Sequence, residues 1–72
     1  MNDMTPIAAR LNAEHARIVL EAAGAKRVCI VGRGLRLLAF FEYGKRREAW
    51  IIRHDGWIRN FERDVARELG AA

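Results

Sequence analysis

The chain has no serine and no glutamine, and only one cysteine, one proline and one threonine in 72 residues. Without serine there is no serine nucleophile. Thr5, directly before Pro6, suits a helix cap better than a catalytic role. Cys29 is alone, so no intramolecular disulfide can form. That fits a reducing, cytoplasmic setting. No apolar run approaches the roughly 18 residues that read as a membrane span, so no membrane partner is expected. The opening residues, MNDMTPIAARLNAEHARI, lack the basic-then-apolar order of a secretory signal. No repeat, linker or low-complexity stretch divides the chain, and the start at Met1 is compatible with a complete small reading frame.

Hydrophobic residues make up 51% and charged residues 31%, which is globular rather than disordered composition. A chain this short makes one domain at most, here residues 1–72, with little volume for a deep enclosed site. The net charge is +4 and the isoelectric point about 10.2, which raises the prospect of a polyanionic partner. Nine acidic residues are interspersed among the thirteen basic ones, which dilutes that signal. Eleven of the thirteen are arginine, the residue suited to bidentate grip of phosphate or carboxylate. Genomic base composition would enrich arginine equally well.

The first element predicted is a helix over about residues 6–23, capped by Thr5 and stopped by Gly24. Ile7, Leu11, Ile18 and Ala22 share one apolar side with His15, while Ala9, Ala13, Ala16 and Leu20 form a second, smaller stripe that either allows close approach of another element or carries no meaning. Strands are predicted over 27–31, 35–43 and 46–53, joined by a turn at Gly32–Gly34 and a two-residue turn at Gly44-Lys45. That second turn sets a register in which Glu42 faces Arg47, Phe40 faces Ala49, Leu38 faces Ile51 and Arg36 faces Arg53. The opposite face carries Leu35, Leu37, Ala39, Phe41 and Tyr43 with His54, Ile52, Trp50, Glu48 and Arg46. A two-residue first turn would add Val28 and Ile30 to it. It is the more continuously apolar face and is assigned to the core.

After the third strand, Asp55-Gly56 reads either as a tight turn into a fourth strand or as a helix start. The face formed by Trp57, Ile58, Phe61, Val65 and Leu69 favours a helix over about 57–69, with Gly70 as its stop. The fold expected is α+β. It is a small two-layer α-β-β-β-α domain whose three-stranded antiparallel sheet carries both helices on one face.

No pattern of residues points to catalysis. Cys29 sits in Val-Cys-Ile-Val and reads as a small buried or half-buried strand residue rather than a nucleophile. Cys29, His15 and His54 lack zinc-ligand spacing, so neither metal nor cofactor is expected. Arg33 between Gly32 and Gly34 precedes a strand, whereas a phosphate loop opens into a helix. Glu42 and Glu48 lie near Arg46 and Arg47, where cross-strand ion pairs account for them.

What stands out is the face opposite the predicted core. Arg36, Leu38, Phe40 and Glu42 lie beside Arg53, Ile51, Ala49 and Arg47, extended by Cys29 and Val31. An apolar centre bordered by arginine is typical of an interface. The expected partner-binding residues are Arg36, Leu38, Phe40, Arg47, Ile51 and Arg53.

The order α-β-β-β-α over about 70 residues resembles that of double-stranded RNA-binding domains, in topology alone. That family grips phosphates with a lysine cluster where its last helix begins. The matching positions here read Asn60-Phe61-Glu62-Arg63-Asp64, so its RNA function is not carried over. Three-stranded sheets that enter the DNA major groove are a second analogy of shape.

Two function classes follow. The first is a non-enzymatic binding protein that uses the open sheet face on a protein partner or on a second copy. Small regulators and mobile-element inhibitors of the anti-CRISPR or anti-restriction kind act by such occlusion. The second is nucleic-acid binding through Lys26, Arg27, Arg33, Lys45, Arg46 and Arg47 at the sheet ends and hairpin tip, with Arg36 and Arg53 on the face.

Overall fold

Two tight turns and a pair of glycine-stopped helices set the architecture. The structure is a computed structural model and describes residues 10–53 and 56–70. The elements run α1 (Ala13–Ala22), β1 (Lys26–Arg33), β2 (Arg36–Tyr43), β3 (Arg46–Arg53) and α2 (Ile58–Leu69). The strands form one antiparallel sheet in the order β1-β2-β3. This is the α-β-β-β-α domain expected from the sequence.

The β2–β3 ladder runs without interruption from Tyr43↔Arg46 to Arg36↔Arg53. It follows from the Gly44-Lys45 turn, where Gly44 takes φ +62° at no steric cost. The first turn differs from the expected Gly32–Gly34. Arg33 pairs with Arg36, so the two-residue turn is Gly34-Leu35, with Gly34 at φ +61°. β1 is longer than predicted. Leu35, expected in the core, occupies the turn and is 83% exposed.

Between Lys26↔Glu42 and Cys29↔Phe40, β1 carries one residue more than β2, which makes a bulge. Arg27 takes φ +55° there, a left-handed conformation that usually favours glycine.

α1 begins later than the sequence suggested. Its N-cap is Asn12, whose side chain accepts a 2.8 Å hydrogen bond from the His15 N–H. The Thr5 and Pro6 cap and the Ile7 and Ala9 positions lie outside the described residues. The helix ends as predicted at Gly24. Ala25 N–H donates to Leu20 C=O at 2.9 Å and Gly24 N–H to Glu21 C=O at 3.0 Å, satisfying carbonyls the last turn leaves open.

Of the two α1 stripes the sequence offers, the smaller one is buried. Ala16 and Leu20, from the smaller stripe, are fully buried, whereas Ile18 is 53% exposed and Ala22 also faces out. Leu11 is buried too, but from the segment before the helix. It therefore does not mark the same helical side as Ile18.

α2 follows its predicted face except at Trp57, which stands before the helix as its N-cap and is exposed. Ile58, Phe61, Val65 and Leu69 are buried, and Gly70 ends the helix at φ +64°. Residues 58–60 are helical, so the fourth-strand alternative falls there, and Trp57 forms only an isolated bridge with Arg10. His54 and Asp55 lie outside the described residues.

The core is the layer between both helices and one sheet face. It holds Val28, Leu37, Ala39, Phe41 and Ile52 from the strands, against Ala16, Leu20, Phe61 and Val65. Trp50 ties the sheet to α2. Its ring meets Phe41 edge-on at 5.3 Å and Phe61 at 6.4 Å. Both helices thus lie on one side, and among the described residues nothing covers the other sheet face.

Candidate functional site: the open sheet face

Strand alternation makes the open face. Residues one apart on a strand point to opposite sides, and directly paired residues share a side. The two ladders therefore arrange the open face as four rows across the strands. The first is Arg33–Arg36–Arg53. The second is Val31–Leu38–Ile51, and the third Cys29–Phe40–Ala49. The last is Lys26–Glu42–Arg47, with Arg27 reaching Glu42 across the bulge at 3.7 Å.

The two middle rows are apolar and unusually open to water. Phe40 is 46% exposed and Ile51 70%, with Val31 also exposed and Leu38 half-buried. Of the six large hydrophobic residues exposed among the described residues, three belong to this face: Val31, Phe40 and Ile51. Ala49 beside the larger Phe40 leaves a shallow recess of about 280 Å³, bordered by Arg27, Glu42 and Arg47. All six residues expected to meet a partner, Arg36, Leu38, Phe40, Arg47, Ile51 and Arg53, fall on this face.

The six residues of the nucleic-acid reading do not form one surface. Lys26, Arg27, Lys45, Arg46 and Arg47 lie near one end of the sheet, and Arg33 lies at the other. Eight residues at about 3.3 Å each separate those ends by roughly 25 Å. Arg46 belongs to the helix-side face, where its Nε lies 3.5 Å from Glu48 Oε2.

Cys29 lies on the open face where the register puts it, but it is exposed there rather than buried or half-buried. His15 sits half-buried on α1, in the layer behind the sheet, so the two do not form a nucleophile–base pair. No group of three or more His, Cys, Asp or Glu side chains gathers to hold a metal among the described residues.

Sequence reasoning missed two features. Arg33 had been placed in a turn, which concealed that it completes an arginine row. The other is a groove of about 680 Å³ between β3 and α2, lined by Trp50, Ile52, Trp57, Phe61 and Asp64 among others. Arg10 sits 4.4 Å from the Trp57 ring centroid at one end of it, and Asp64 is held by Arg67 at 2.9 Å. The ladder at Arg10 and Trp57 is formed by residues 47 apart, so no local pattern could announce it. Among the described residues no helix is long and apolar enough to cross a membrane.

Searches with protein-family profiles, curated proteins and solved structures return no match to this chain.

Proposed function

We propose that this is a small non-enzymatic binding protein that works by laying its open sheet face on a protein partner or on a second copy of itself. The observation that carries the reading is the helix-free face with Val31, Leu38, Phe40 and Ile51 at its centre and arginines at both ends. Exposed apolar patches of this kind mark interaction surfaces. Aromatic and arginine side chains are the usual anchors. A domain this small acts by occluding a partner's surface, in the manner of regulators and inhibitors of the anti-CRISPR or anti-restriction type. The setting proposed is cytoplasmic, in keeping with a lone exposed thiol.

The alternative reading, nucleic-acid binding, draws on the cluster of Lys26, Arg27, Lys45 and Arg47 at one sheet end. Two of the cations near that end, Arg27 and Arg46, already lie against carboxylates, which weakens it.

Photo-crosslinking in cells tests the reading. A benzophenone amino acid replaces Ile51 on the open face or Ile18 on the outward side of α1. Protein adducts at position 51, absent at position 18 and lost on Phe40→Asp, are expected. An adduct of twice the chain's mass would identify a second copy. Equal protein adducts at both positions would reject the face, and nucleic-acid adducts would transfer the function to the alternative.

A further inference from the structure

Granting that the open face is a protein-docking surface, we infer that its occupant is an acidic one: an apolar protein patch bordered by carboxylates that seat against Arg33 and Arg36. The first observation is the register. Arg33 pairs with Arg36 and Arg36 pairs with Arg53, so three arginines occupy adjacent positions in one row across the sheet. Neighbouring strands are about 4.8 Å apart, and like charges directly opposite each other are unfavourable. No carboxylate among the described residues pairs with Arg33 or Arg36. Arg33 and Arg36 therefore face each other with no carboxylate of the described residues against either, a repulsion that a carboxylate-bearing partner would relieve. Planar arginines match carboxylates bidentately, which gives such contacts orientation as well as attraction.

The second observation is the contrast between the two ends. At the far end Glu42 sits between Arg27 and Arg47, so that row has its own counter-charge. The first row has none among its own members. A partner complementary to the whole face would set its acids at the Gly34-Leu35 end and an apolar patch over the middle rows.

The same charges argue against a second copy. Two sheets packed face to face must be related by a two-fold axis lying between them. If that axis runs along the strands, arginine row meets arginine row. If it runs across them, the arginine row meets Arg27, Glu42 and Arg47. Five arginines stand against one glutamate on each face, and either packing buries cations against cations. A nucleic acid would satisfy the arginines, but it would leave Val31, Leu38 and Ile51 facing a polyanion, with only Phe40 suited to stacking on bases.

Fluorescence anisotropy with three labelled probes tests this: a random Glu/Tyr copolymer, polyglutamate of similar length, and a 20-base-pair duplex DNA. Sedimentation velocity runs alongside. The copolymer is expected to bind about tenfold more tightly than either polyglutamate or DNA, with affinity falling as salt rises. Arg33→Gln with Arg36→Gln should weaken it about tenfold and flatten the salt dependence. Phe40→Asp should weaken it as well, and the chain should sediment as a monomer. Unchanged circular dichroism of each variant secures the comparison.

Copolymer binding lost on Phe40→Asp but indifferent to salt and to the arginine changes would overturn the acidic occupant and leave the face standing. Binding indifferent to all three changes would remove the face itself. A dimer abolished by Phe40→Asp would make the occupant a second copy. Tighter binding of DNA than of the copolymer would make it a nucleic acid.

Discussion

Phe40 and Phe41 are consecutive aromatic residues on the central strand, and they belong to two different surfaces. Phe41 is 3% exposed under the helices, while Phe40 is 46% exposed on the open side. Their neighbours repeat the contrast. Leu37, Ala39 and Ile52 are covered, whereas Val31 and Ile51 are not. The two faces differ less in apolar content than in their borders. Around the covered face are helix side chains and aromatic contacts through Trp50. Around the open one are Arg33, Arg36, Arg53, Arg47 and Arg27. An apolar patch ringed by water-seeking arginines stays outside the core.

The largest expected effect probes that contrast directly. Phe41→Ala removes a buried ring packed on Trp50 and should cost about 3–5 kcal/mol. Phe40→Ala, one residue away, should cost no more than about 0.5 kcal/mol. Urea denaturation measures both. If Phe41→Ala leaves too little folded protein to titrate, Ile52→Val against Ile51→Val repeats the test, with about 1 kcal/mol expected for the first and almost nothing for the second. Equal costs for the two members of a pair would mean that the open face is packed.

A middle-sized effect concerns the cover rather than the sheet. α1 is capped by the Asn12 side chain, and Asn12→Ala should cost about 1 kcal/mol in thermal melts. No loss would mean that the helix starts upstream of Asn12, as the sequence first suggested.

The smallest effect sharpens the border. Arg36→Glu places a carboxylate between Arg33 and Arg53 and should stabilise the protein by about 0.2–1 kcal/mol, less at high salt. A destabilised variant would show that the arginine row is not repulsive in the free protein.

Most of this architecture could be read from local signals. The Gly44-Lys45 turn and the alternation on either side of it gave every pair of the β2–β3 ladder, from Tyr43↔Arg46 to Arg36↔Arg53. The α2 face was equally plain, because Ile58, Phe61, Val65 and Leu69 recur at helical spacing within one continuous helix. The failures have physical causes too. Leu11 was counted into α1's apolar side although it precedes the helix, so the periodicity ran across a break and left two stripes, Ile18's and that of Ala16 and Leu20, open. Gly32 and Gly34 both suit a turn, and only pairing with β2 chose Gly34-Leu35. That choice moved Arg33 from a loop onto the face.

By itself, the sequence determined which residues of β2 and β3 travel together. The pleat alternates side chains at every step, and a two-residue turn leaves no freedom in register. It also determined the apolar stripe of α2 from Ile58 onward and where both helices stop, since glycines at Gly24 and Gly70 take conformations other residues resist. The tertiary structure alone decided which stripe of α1 is buried. Small Ala16 lets the helix approach the sheet closely where bulky Ile18 would hold it away. It also decided that Arg33, Arg36 and Arg53 form one row. Those residues come from three strands, and only the joint register of two ladders sets them in adjacent positions.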